Sequence, residues 1–199
     1  GLKKLKMKSR KQIIKKLIQN KSVLDFGSVG FSQRSSFFDF LEKNSKNILG
    51  IELNHQLIKK INKPNVIYGN AEDYISKKKV DVIVAGELIE HLSNPGLFLE
   101  NSFINLKEGG KLIMTTPNPY SLQNVARSIV FGKEAKCIEH VALYSETTLS
   151  ELLNRFNFKN INIKYIDRDS INSFKGYVEY LLSQIKKTWK PRLLIIAEK

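Results

Sequence analysis

Five short apolar runs, Ser22–Phe26, Asn47–Glu52, Asn65–Tyr68, Val80–Ala85 and Lys111–Thr116, alternate with stretches whose apolar residues recur at helical spacing. Val80–Ala85 is almost continuously apolar, the pattern of a central parallel strand covered on both faces. The intervening stretches predict a helix over 32–43 that buries Phe37, Phe38 and Leu41, and a short one over 54–62 that Pro64 stops. A third helix opens at Asn94-Pro95, faces the core with Leu97, Phe98, Phe103, Ile104 and Leu106, and ends at Glu108-Gly109-Gly110. Ahead of the first strand, residues 2–20 read as an amphipathic helix, with Leu2, Leu5, Ile13, Ile14, Leu17 and Ile18 on one side and lysines between them. After residue 120 the rhythm changes: helices over 121–131, 146–156 and 172–188, an irregular stretch over 132–144, and strands at Asn160–Ile166 and Pro191–Glu198. Core packing is expected of Tyr177, Tyr180, Leu181, Leu182 and Trp189. Alternating strands and helices predict an α/β fold, a mostly parallel sheet with helices on both faces.

With 199 residues and 42% hydrophobic content, one domain over 1–199 is expected: a basic amphipathic helix at 1–21, a core at 22–118, and helices plus two last strands at 119–199. No stretch is long and apolar enough to span a bilayer, and no signal peptide is evident. Cys137 is the only cysteine, so no intrachain disulfide forms. These features predict a cytoplasmic location. The net charge of +14 attracts anionic partners, but lysine is spread along the whole chain and is densest near the N-terminus (Lys3, Lys4, Lys6, Lys8, Arg10, Lys11, Lys15, Lys16). A lone Cys137-x-x-His140 lacks the partners a zinc site needs.

The chain is organised around Val23-Leu24-Asp25-Phe26-Gly27-Ser28-Val29-Gly30-Phe31, an apolar run that ends in an acid and runs through glycines into a helix start. This is a strand–turn–helix that lets backbone approach a nucleotide. Val29 and Phe31 occupy two positions where a full glycine motif has glycine, which predicts a narrower pocket. Glu52 closes the second strand, where an acid can accept hydrogen bonds from both ribose hydroxyls.

Taken with Gly69-Asn70-Ala71-Glu72-Asp73, Asp81-Val-Ile-Val-Ala-Gly-Glu-Leu-Ile-Glu-His-Leu and Gly109-Gly110-Lys-Leu-Ile-Met-Thr-Thr-Pro-Asn, the chain resembles the class I S-adenosylmethionine-dependent methyltransferases over residues 22–165. The ubiquinone-type O-methyltransferases are similar in this respect. The resemblance implies a Rossmann-like seven-stranded sheet whose antiparallel last strand inserts beside strand 6. It implies S-adenosylmethionine as cofactor. Asp25, Gly27 and Gly30 would line the methionine end, Glu52 with Leu53 the ribose, and Ala71 and Glu72 the adenine. Gly86 and Glu87 would lie beneath the sulfonium.

Glu87-x-x-Glu90-His91 places two carboxylates and an imidazole on one face of a helical turn, and His140 lies in the irregular segment that follows strand 5. Glu87, Glu90, His91 and His140 together are candidate ligands for a divalent cation such as Mg2+, which would lower the pKa of an acceptor hydroxyl. Methyltransferases acting on ubiquinone precursors, and those that 2′-O-methylate small RNA ends, resemble the chain here. Two other roles stay open for His91 and His140: a metal-free general base, and a structural one.

The expected reaction is methyl transfer to an oxygen of a small-molecule or sugar- or lipid-linked acceptor, with His91 and His140 catalytic and with Asn118, Tyr120, Asn124 and Tyr144 near the acceptor. The charge supports RNA 2′-O-methylation as an alternative, although no appended RNA-binding domain is visible and nucleic acid is not the favoured partner. The broken glycine motif supports a catalytically inactive binding domain. Oligomeric state is not legible.

Overall fold

The computed structural model describes residues 10–29, 36–132, 138–169 and 173–199, with only the backbone described for Ser36, Phe174 and Lys175. Seven strands, β1 (Ser22–Phe26), β2 (Asn47–Glu52), β3 (Val66–Tyr68), β4 (Val80–Gly86), β5 (Leu106–Pro117), β6 (Lys159–Ile166) and β7 (Arg192–Glu198), form one sheet. Their order is β3-β2-β1-β4-β5-β7-β6. The pairs from β3 to β5 are parallel. β7 runs antiparallel between β5 and β6, the insertion that the resemblance implied.

The helices are α1 (Arg10–Ile18), α2 (Ser36–Asn44), α3 (His55–Ile61), α4 (Pro95–Asn105), α5 (Leu122–Phe131), α6 (Glu146–Arg155) and α7 (Phe174–Ile185). Strand alternation divides the core in two. Leu24, Phe26, Ile83, Ala85, Leu112 and Met114 pack against Phe98 and Leu99 of α4 and Leu149 and Leu153 of α6. Val23, Val82, Val84 and Ile113 point the other way, onto Ile14 and Ile18 of α1 and Phe38 and Leu41 of α2. Both sides of the central strands are therefore dry, and hydrophobic burial on two faces holds the sheet.

Three expectations need correction. α4 buries Phe98, Leu99, Ser102 and Asn105, while Leu97 and Ile104 are exposed at 48% and 44%. Asn105 is inward because its amide ties down the segment before β4, donating to Tyr74 O at 2.9 Å and accepting from Ser76 N at 2.7 Å. Glu108-Gly109-Gly110 does not end that helix: the chain enters β5 at Leu106, and Gly109, at φ +70°, sits in the irregular stretch where the β4–β5 register shifts. Leu181 and Leu182 of α7 are not core residues; they are 49% and 39% exposed. The predicted helix over 2–20 is α1 in its described part, and Lys3, Lys4, Lys6 and Lys8 lie outside the described residues.

Candidate active site

The C-terminal ends of β1, β2 and β4 open into a cavity of about 750 Å3, where a parallel α/β sheet binds its ligands. Gly27, Glu52, Leu53, Gly86, Glu87 and His91 line it, together with the start of α3 from Asn54 to Leu57. Gly27 holds φ +72°, a left-handed conformation that glycine adopts without strain, and its N–H donates to Ile51 O at 2.9 Å. Ser28 Oγ donates back to Asp25 O at 2.9 Å. The turn is thus pinned against both strands that carry it.

Val29 does not narrow this cavity. Its side chain is 4% exposed within the core that α1 and α2 cover. Its N–H donates to Glu52 Oε2 at 3.2 Å, and the other carboxylate oxygen accepts from Asn54 N at 3.0 Å. Glu52 is therefore fixed between the glycine turn and the α3 start. Gly30 and Phe31 lie outside the described residues. Asp25 is buried, and burial, with Glu52 adding to it and Arg10 opposing, pushes its carboxyl well above the usual range.

Ala71 and Glu72 are not among the residues that line the cavity. Glu72 holds the start of α4 instead, accepting from Asn94 N and Asn94 Nδ2, both at 3.0 Å. His55, which sequence reasoning missed, lines the cavity and stacks on Tyr68 with ring centroids 4.0 Å apart.

Beyond β4 the chain turns sharply. Glu87 has φ +53°, an uncommon conformation for a residue with a Cβ, and its N–H donates to Thr115 O at 2.8 Å. A 3-10 turn, Ile89–His91, follows. Glu90 is 1% exposed, and its Oε2 accepts from Thr116 Oγ1 at 3.0 Å. Burial, and then the neighbouring Glu87, push Glu90 up to about 7. The backbone of 139–142 straps over this turn: Val141 N donates to Glu90 O at 2.9 Å, and His91 Nδ1 lies 3.2 Å from Glu139 O. The strap delivers His140, whose ring meets that of His91 edge to face at 4.7 Å. Burial, then His91, lower the pKa of His140 and favour its neutral imidazole.

Glu90, His91 and His140 offer ligand atoms that all lie within 4.8 Å of one another. Glu90 Oε1 and His140 Nδ1 are buried with no hydrogen-bond partner. A carboxyl and two imidazoles are ligands that fit a divalent cation chemically, and the unpartnered Glu90 Oε1 and His140 Nδ1 are the atoms open to it. Glu87 stands outside that trio; its Oε2 lies 3.5 Å from Arg192 Nε. Arg192 Nη1 reaches Asp169 Oδ2 at 3.8 Å, and Arg10 Nε approaches the same oxygen at 3.0 Å. No sequence motif marked Arg10, Asp169 or Arg192, because only the fold brings them to one end of the sheet.

Of the residues expected near the acceptor, Tyr144 is half-buried, and burial, then the charge of Glu90, push its phenol up, while Tyr120 is exposed. Asn118 and Asn124 are structural. Asn118 Nδ2 donates to Thr188 O and Lys190 O at 2.8 and 2.7 Å, and Asn124 Nδ2 donates to Asn118 O at 2.9 Å. Cys137 lies outside the described residues.

Comparison by sequence with curated proteins finds no significant match. Among solved structures, the chain is similar to a SAM-dependent methyltransferase from Archaeoglobus fulgidus (TM-score 0.66, 19% identity, 98% of this chain and 96% of that one). It is similar also to a putative S-adenosylmethionine-dependent methyltransferase from Listeria monocytogenes (TM-score 0.65, 19% identity, 94% and 96%). A phosphoethanolamine N-methyltransferase from Haemonchus contortus aligns at TM-score 0.62 and 15% identity, over 94% of this chain and 51% of that one. The sequence profile of a family described as a methyltransferase domain matches residues 2–163. The chain therefore belongs to the methyltransferase-domain family and has the fold of the S-adenosylmethionine-dependent enzymes.

Proposed function

We propose that this domain, spanning 1–199, transfers the methyl group of S-adenosylmethionine to a hydroxyl oxygen of a small or sugar- or lipid-linked acceptor. The observation that carries the reading is the convergence of Glu90, His91 and His140 within 4.8 Å, beside a cavity that His91 itself lines.

In the proposed reaction the acceptor oxygen attacks the methyl carbon as the carbon–sulfur bond breaks, and S-adenosylhomocysteine leaves. Gly27, Gly86 and Glu52 frame the cofactor. Glu87, between Arg192 and the cavity, sets the negative charge near the sulfonium. Where no cation is bound, His140, its pKa lowered by burial, accepts the hydroxyl proton. Glu90, His91 and His140 would hold a divalent cation such as Mg2+, which when bound lowers the pKa of the acceptor hydroxyl. The lone cysteine suits a reducing cytoplasm.

The test has two steps. Calorimetric titration with S-adenosylhomocysteine should give one saturable site; a folded sample that binds none at millimolar ligand leaves only an inactive binding domain. Turnover on hydroxylated acceptors should then fall on chelation and return with Mg2+. The charge of +14 favours a second reading, an RNA acceptor; steep salt dependence of RNA binding, with turnover on RNA ends, would replace the small acceptor.

A further inference from the structure

We infer that the α5–α7 end of the molecule docks on an anionic lipid surface, a property that goes beyond the methyl-transfer reading. α7 exposes Val178, Leu181, Leu182 and Ile185, at 39%, 49%, 39% and 76%. These positions are spaced i, i+3, i+4 and i+7, so they form one stripe along one side of the helix. A soluble helix turns such a stripe inward; this one turns it out. α5, which contacts α7, has no buried residue and ends in Ile129, Val130 and Phe131, exposed at 79%, 67% and 68%. The segment carrying His140 adds Ile138 and Val141, at 98% and 64%. Exposed apolar side chains on two contacting helices are not the scatter of single residues that any surface shows.

Charge chooses the occupant. The described residues of 120–145 and 173–190 hold five lysines and arginines against two glutamates. Lys186 and Lys187 directly follow Ile185, and both are exposed. Apolar side chains bordered by lysine are the composition of a helix that lies in a membrane interface, its apolar side among acyl chains and its amines at anionic headgroups. No described helix is long and apolar enough to cross a membrane, so docking is lateral.

The test is co-sedimentation of the full chain with vesicles of phosphatidylcholine alone and of phosphatidylcholine mixed with phosphatidylglycerol. The chain should pellet with the mixed vesicles and stay in solution with the neutral ones. The triple variant Phe131→Ser, Leu181→Ser, Ile185→Ser should partition about a hundredfold more weakly. Its melting temperature should be unchanged, because all three side chains are exposed. Lys186→Glu with Lys187→Glu should weaken binding too. Three results would overturn the proposal: no pelleting with anionic vesicles, pelleting that the triple variant leaves unchanged, or a dimer in solution that the triple variant splits while vesicles bind nothing. The last result would assign this surface to a second copy of the chain.

Discussion

His91 and His140 come from separate segments, and their rings meet at 4.7 Å and 82°. The contact depends on the backbone of 139–142, which bonds to Glu90 O and His91 Nδ1 rather than to another part of the sheet. His140 is thus held by the strap, and its side chain caps no helix. Replacing His140 with alanine should lower kcat about a hundredfold or more, the usual contribution of a general base. The dissociation constant for S-adenosylhomocysteine should stay within about twofold, because His140 does not line the cofactor cavity. Equal losses in kcat and in cofactor affinity would instead make the strap a structural element.

Val29 stands where the resembling family has glycine, and the structure makes valine the better residue. Val29→Gly should cost about 2–4 kcal/mol, from the lost buried side chain and from added freedom in the unfolded chain. It should not tighten S-adenosylhomocysteine binding, because the valine side chain fills core and not cavity. Thermal melts and calorimetry of the variant check both halves; tighter binding would show that the valine does restrict the pocket.

Asp81 ties the opposite end of the sheet. It accepts from Lys107 Nζ at 2.8 Å, from Ser22 Oγ at 2.7 Å and from Ser22 N at 2.8 Å. These partners, Lys107 foremost, hold its carboxyl well below the usual range. A carboxyl depressed on folding contributes stability above its unfolded pKa, and that contribution fades as pH falls below about 4. Asp81→Asn should therefore cost about 2 kcal/mol at neutral pH, a figure reduced because Lys107 is half exposed. The difference from wild type should shrink between about pH 4 and pH 2 in denaturant titrations.

Asn118 donates to two carbonyls near Trp189 and accepts from Tyr120 N at 3.0 Å. Asn118→Ala should destabilise the chain by about 2–3 kcal/mol, because it strands buried partners. KM for the acceptor should change little when measured well below the lowered melting temperature. A large KM effect on a fully folded variant would restore Asn118 to the acceptor site.

The strand–helix rhythm was legible because burial on both faces leaves unbroken apolar runs, and Val80–Gly86 is the example. The glycine turn and Glu52 were legible because backbone conformation and strand ends leave local marks. The buried face of α4 was not. Asn105 is inward for its hydrogen bonds and Ile104 is outward, an inversion that hydrophobicity alone does not encode. Nor was the outward stripe of α7, since periodicity finds an apolar side but not what covers it.

By itself, the sequence determined the order of elements and the place of the glycine turn, and it offered Glu87, Glu90, His91 and His140 as candidates, all from local pattern. Only the tertiary structure decided that Glu90, His91 and His140 converge while Glu87 turns toward Arg192, that Glu72 holds α4, and that Val29 faces the core. Convergence depends on where a strap crosses and which strand lies beside which. Those are long-range packing outcomes, and no residue carries them in its neighbours along the chain.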